Sequence, residues 1–127
     1  MFTHVVLGSN DPEAARRFYD AALGALGLPP GQGPDQKGRF WWRTERGAFA
    51  VGKPIDGEAA CHANGGTIGF FAATPEMVQA FHDAGVAAGG RAIEDPPGER
   101  IGPFGRLVLA YLRDPDGNKV CALHRPA

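Results

Sequence analysis

Residues 4–27, HVVLGSNDPEAARRFYDAALGALG, can be laid over residues 67–90, TIGFFAATPEMVQAFHDAGVAAGG, without a gap. Pro12 falls on Pro75, Glu13 on Glu76, Phe18 on Phe81 and Asp20 on Asp83, with Ala21, Ala25 and Gly27 meeting Ala84, Ala88 and Gly90. Alanine and glycine coincide readily by chance, but a Pro-Glu pair and a phenylalanine in matching places do not. The chain reads as two copies of one module, and repeats of this kind are sought before elements are assigned.

Each copy starts with a short run rich in β-formers, Phe2 to Leu7 and Thr67 to Phe71, followed by a helix start at Asp11-Pro12-Glu13 or Thr74-Pro75-Glu76. Asp or Thr caps free amides, proline is tolerated at the first helical position and glutamate suits the positive helix end. Ala15, Phe18, Tyr19, Ala22 and Leu23 recur at helical spacing, Val78, Phe81 and Val86 less regularly, and glycines at 24, 27, 89 and 90 end both patterns. Two apolar runs joined by a turn then close each copy. They are Arg39 to Arg43 with Ala48 to Lys53, and Leu107 to Arg113 with Lys119 to His124 around Asp114-Pro115-Asp116-Gly117-Asn118. The expected organisation is one domain over 1–127, with module one at 1–56, a linker at 57–66 and module two at 67–127.

A chain of 127 residues has the size of one ordinary domain. With 43% hydrophobic and 21% charged residues and a net charge of −1, nothing favours disorder, a polyanion partner or nucleic acid. No window approaches the ~20 apolar residues of a membrane span, and no basic region leads into an apolar leader, so a soluble cytoplasmic protein without membrane contact is expected. Cys61 and Cys121 are too few for a disulfide framework and form no CxxC pair. The 19 glycines and 11 prolines lie between apolar segments and read as turn chemistry.

His4 in the opening strand, Asp11-Pro12 followed by Phe18-Tyr19, Gly52-Lys53-Pro54, Asn64-Gly65 and Arg113-Asp114-Pro115-Asp116-Gly117-Asn118 together carry a resemblance. The chain resembles the vicinal oxygen chelate superfamily, which includes glyoxalase I, extradiol dioxygenases and bleomycin-resistance binding proteins. The resemblance implies an α+β fold in which two βαβββ modules form a curved mixed sheet with helices on the outer side and a ligand site in the cup. It also implies a homodimer. Many of its enzymes hold a divalent metal with side chains from the first and last strands of each module. Anchoring the two hairpins on Gly47 and Gly117 puts His4, Val51, Thr67 and Cys121 in those slots. Valine cannot coordinate and threonine is a poor neutral ligand, whereas an open divalent site uses imidazole and carboxylate. No cofactor is therefore expected, with a divalent metal held by His4 and Cys121 as the alternative.

The expected ligand pocket comprises His4, Trp42, Phe49, Val51, Thr67, Gly69, Tyr111, Cys121 and Arg106. His4 is a hydrogen-bonding group, a residual metal ligand or simply a core histidine. Phe40, Trp42, Phe49 and Val51 form an apolar wall, with Leu109 and Tyr111 as counterparts. Of the adjacent Trp41 and Trp42 only one can face the cup. Gly69 either opens space for a ligand or relieves strand packing. Cys121 is a nucleophile only if a nearby base lowers its pKa, and otherwise an inert thiol. The segment from Arg91 to Arg106 reads as a rim loop able to present a cation to an anionic ligand. The leading expectation is a protein that binds a small organic molecule with a degraded metal site. The alternatives are a metal-dependent lyase (lactoylglutathione lyase-like), isomerase or dioxygenase, and a purely structural role.

Overall fold

The computed structural model describes all of residues 1–127. Its elements in order are β1 (His4–Gly8), α1 (Pro12–Gly24), β2 (Phe40–Thr44), β3 (Gly47–Gly52), β4 (Ile68–Phe71), α2 (Pro75–Ala87), β5 (Arg91–Gly102), β6 (Gly105–Arg113) and β7 (Lys119–His124). The fold is α+β with a duplicated module, and its strands are divided between two mixed sheets ordered β1-β3-β2 and β4-β7-β6-β5. In each sheet the module's first strand pairs in parallel with its last. Module one has one strand fewer, because only a single bridge between Gln32 and Trp41 stands where module two has β5.

Both helices begin as their caps dictate: Asp11 Oδ1 accepts from the Ala14 amide and Thr74 Oγ1 from the Met77 amide, with Pro12 and Pro75 next in line. Gly27 at φ 95 and Gly89 at φ 102 turn the chain out of the two helices in the left-handed region that glycine adopts freely. The α1 stripe Ala15, Phe18, Tyr19, Ala22 and Leu23 is wholly buried. On α2 the buried positions are Val78, Phe81 and Gly85, whereas Val86 lies on the exposed side. Gly85 is buried because the helices touch there. A Cβ at this position would lie 2.5 Å from Leu112 Cδ1 and 3.1 Å from Phe18 Cε1.

One apolar core joins the modules. Tyr19 packs on Phe49 with ring centroids 4.7 Å apart, and Phe49 meets Phe70 of the other sheet edge-on at 5.1 Å. The polar counterpart is the turn after β6. The buried Tyr19 hydroxyl donates to Asp114 Oδ2 at 2.7 Å, and Asn118 Nδ2 donates to both Asp114 Oδ2 and the Gly8 carbonyl. Asp116 Oδ1 accepts from the Asn10 amide, while Asn10 in turn exchanges two hydrogen bonds with Ala60. The Asp114-to-Asn118 turn of module two is thereby tied to the end of β1 and to the segment that follows module one.

The span from Arg91 to Arg106, expected as a rim loop, is instead the β5–β6 hairpin, closed by a turn between Gly102 and Gly105. Its Pro96-Pro97 pair sits in a bulge between Ile93 and Gly98 where the ladder skips and no amide is required. Glu94, within that bulge, has the chain's one positive φ outside glycine, 60°.

Burial raises the pKa of Asp114 above the usual carboxylate value, while hydrogen bonds from Tyr19 and Asn118 act the other way. A carboxyl whose folded pKa is raised favours folding below its unfolded pKa of about 4 and loses that contribution as pH rises through the folded value. The stability advantage of the wild type over Asp114→Asn is therefore expected to shrink as the pH rises above about 4, read from denaturant midpoints. Tyr19→Phe strips a donor from the buried carboxyl and is expected to cost about 1–3 kcal/mol at neutral pH, measured the same way.

Candidate functional site

Residues directly opposite across a ladder present their side chains to the same face. In the first sheet, Val5, Leu7, Phe40, Trp42, Phe49 and Val51 face the helices, and His4, Val6, Trp41, Arg43, Ala48 and Ala50 lie on the open face. In the second, Ile68, Phe70, Ala110, Leu112, Val120 and Ala122 face the helices, and Gly69, Phe71, Leu109, Tyr111, Cys121 and Leu123 lie on the open face.

This parity sorts the expected pocket residues. Gly69, Tyr111 and Cys121 are together on the open face of the second sheet, where Leu107, Leu109 and Cys121 form an apolar cluster flanked by Tyr111 and Leu123, separate from the main core. Thr67 is exposed just before β4, and His4 is exposed on β1 of the other sheet. Trp42, Phe49 and Val51 are corrections: all three are buried in the main core against Tyr19 and its neighbours. Arg106 is a further correction. It pairs with Ile101 at the start of β6, on the face opposite to Leu107, and grips Glu99 through two hydrogen bonds of 3.0 and 2.8 Å.

The error over Val51 has a simple origin. The first hairpin closes with Thr44 opposite Gly47, so Gly47 lies in the strand, whereas Gly117 lies inside the longer turn between Arg113 and Lys119. Matching the two glycines shifts the register by one residue. Aligned by ladder instead, Ala50 opposite Val6 corresponds to Cys121 opposite Gly69, and Trp41 opposite Ala50 corresponds to Tyr111 opposite Cys121. Trp41 is thus the open-face tryptophan that sequence reasoning passed over. The alternation of the strand together with Ala48 and Ala50 would have identified it.

Trp41 is held in a stack. Arg39 lies over its ring at 5.1 Å and Arg43 at 4.7 Å, with the His4 ring 6.3 Å away. Asp35 fixes it by accepting from Trp41 Nε1, Arg39 Nε and the amides of Arg39 and Lys37, and those bonds, the tryptophan's first, hold its carboxyl well below the usual carboxylate range. Asp35→Asn is expected to loosen the stack and raise acrylamide quenching of tryptophan emission, since the other tryptophan, Trp42, is buried.

The four slots at the first and last strands of the modules are thus held by His4, Ala50, Thr67 and Cys121. Alanine has no donor atom. Burial pushes the Cys121 thiol up to about 11, which disfavours the thiolate that a metal or a nucleophilic mechanism needs. His4 Nδ1 is engaged with Thr3 Oγ1 at 2.8 Å. No three His, Cys, Asp or Glu side chains converge anywhere in the chain. This donor set does not fit the divalent site of the superfamily's metalloenzymes. A cleft of about 620 Å³ lies elsewhere, between the start of α1 and the segment after β3, lined by Asn10, Lys53, Pro54, Ile55 and Glu58. None of the expected pocket residues lines it.

Comparison with known proteins bears on this geometry. A family profile described as a glyoxalase-like domain matches residues 4–123. The chain is similar to the crystal structure of a glyoxalase/bleomycin resistance protein from Albidiferax ferrireducens T118, with 54% identity and a TM-score of 0.95 over 98% of this chain and 99% of that one. It is also similar to a glyoxalase-related enzyme from Fulvimarina pelagi, with 20% identity and a TM-score of 0.74 over 99% and 88% of the two chains. A lactoylglutathione lyase from Agrobacterium tumefaciens matches at 20% identity and a TM-score of 0.67 over 98% and 92%. At 20% identity the last two show the fold alone. No curated protein sequence matches.

Proposed function

This chain belongs to the glyoxalase-like domain family, and from that premise we propose that it binds a small organic molecule without a metal, on the open face of the second sheet. The single observation that carries the reading is the second apolar cluster, Leu107, Leu109 and Cys121 flanked by Tyr111 and Leu123. It lies on the face that no helix covers. Sites for small molecules are mostly apolar with a few polar groups that fix orientation. Gly69 opposite Cys121 leaves room there, because a Cβ at Gly69 would meet nothing nearer than Cys121 Sγ at 3.4 Å.

A second copy of the chain completes the site. Within one chain the sheets meet through helices and aromatic core rather than strand to strand, so the His4 and Cys121 faces share no floor. β1 and β4 each end a sheet with one side of the ladder unpaired, and they carry the exposed apolar side chains Val6 and Phe71, the latter 76% exposed. Because β1 and β4 are equivalent under the repeat, β1 of one copy can meet β4 of the other twice, which closes the assembly at two. No helix of the chain is long and apolar enough to cross a membrane. The cytoplasmic location expected from sequence remains part of this reading, as does the absence of a nucleic-acid partner.

The test uses N-phenyl-1-naphthylamine, an uncharged aromatic dye, titrated by fluorescence. Saturable binding is expected, weakened several-fold by Gly69→Val, whose methyls fill the space beside Cys121. The same protein purified without chelator is expected to carry only trace metal. Failure of the dye to saturate, or near-stoichiometric nickel, zinc, iron or manganese lost in His4→Ala, overturns the reading. By light scattering the protein is expected to be a dimer and Phe71→Lys a monomer.

A further inference from the structure

We propose that the ligand of the second sheet's open face carries an anionic group, and that Arg100 is the residue that recognises it. The proposal rests on the reading of that face as a small-molecule site. Arg100 lies opposite Leu107 on β5, on the same face as Leu109 and Tyr111. Its guanidinium is built into place by the bulge: Nη2 donates to the carbonyls of Asp95 at 3.1 Å and Pro96 at 2.9 Å, and Nη1 donates to that of Glu99 at 3.3 Å. Gly98, which pairs with Leu109, lies beside it, and a Cβ there would be in ordinary contact with Arg100 Nη1 at 3.6 Å. Burial raises the pKa of the Tyr111 hydroxyl, and among the charges around it Cys121 and Glu94 act in the same direction while Lys119 and Arg100 oppose them.

Arg100 is the cation directly opposite Leu107 of the apolar cluster, oriented by three carbonyls and without a carboxylate partner. Arg39, Arg106 and Lys119 each have a carboxylate partner, in Asp35, Glu99 and Glu94. Arg113 bends to the Gly117 carbonyl in the turn beyond β6. Arg100 has only carbonyl acceptors, which fix its orientation and leave its charge uncompensated beside an apolar floor. The bulge that supplies two of those carbonyls holds Glu94 at a positive φ, and such local strain persists where the surrounding structure over-determines it. A planar guanidinium fixed beside an apolar surface suits a carboxylate, sulfonate or phosphate attached to a hydrophobic or aromatic body. Arg106, the cation that the sequence put forward for this role, is already spent on Glu99 and faces the other way.

Two dyes that differ by a single sulfonate make the test. N-phenyl-1-naphthylamine reports the apolar floor alone, and 8-anilinonaphthalene-1-sulfonate adds the anion to the same skeleton. In the wild-type dimer the sulfonate is expected to bind about tenfold more tightly, the scale of one charge-assisted hydrogen bond. Arg100→Gln should remove that preference while leaving affinity for the uncharged dye unchanged. Arg100→Lys should keep much of it, and Arg106→Gln should alter neither dye. Thermal melts of each variant establish that it folds. Equal affinity for the two dyes, or a preference that survives Arg100→Gln, overturns the assignment of Arg100. If the uncharged dye fails to bind the wild type, the small-molecule reading itself falls and this inference falls with it.

Discussion

The buried hydrogen bond between Tyr19 and Asp114 is the constraint on which the arrangement of the two modules depends. It joins a side chain of the first helix to the first residue of the second module's hairpin turn, and Asn118 carries the link on to the Gly8 carbonyl at the end of β1. A carboxyl taken out of water without donors would cost several kcal/mol, so this turn is stable only while module one presents the tyrosine. Neither half of the duplication has that partner alone. The Asp-Pro-Asp-Gly-Asn motif is therefore an intermodule fastener.

With the turn fixed, the orientation of the sheets follows. Tyr19 sits at the centre of an aromatic cluster with Phe18, Trp42, Phe49 and Phe70, which brings the helix-side faces of both sheets into one core. The opposite faces are left to solvent and to partners. On the first sheet that face carries Trp41 with Arg39 and Arg43 over its ring. On the second it is an apolar floor bordered by the bulge of β5. The duplication is thus preserved in the core, where Phe18 and Phe81 are equivalent and both wholly buried, and has diverged on the open faces, where Trp41 and Ala50 answer to Tyr111 and Cys121.

Much of the fold was legible in the residues. The caps at Asp11 and Thr74, the α1 stripe, the hairpin of β6 and β7 and the duplicated α+β module depend on spacing over a few residues, and local chemistry determines such features. Val86 and Gly85 show where this stops, because which side of α2 is buried depended on Phe18 arriving from another helix. The Pro96-Pro97 segment shows the same limit. Two prolines argue for a loop, and only the pairing of Gly98 to Gly102 with β6 makes the segment a bulged strand.

The site was legible in part, for a related reason. Residue types at Gly69, Tyr111 and Cys121 were enough to bring them together, because strand alternation from a correctly placed turn gives their common face. Trp42, Phe49 and Val51 were assigned to the wrong face because the period of a strand is two residues, and a shift of one in the hairpin register moves every side chain to the other side. The sequence by itself determined the duplication, both helices and the β6–β7 hairpin, since these are properties of residue identity and local spacing. Only the tertiary structure decided which tryptophan faces outward and which arginines meet a carboxylate. Both depend on ladder register and on carboxylates such as Asp35 and Glu99 finding their partners in space.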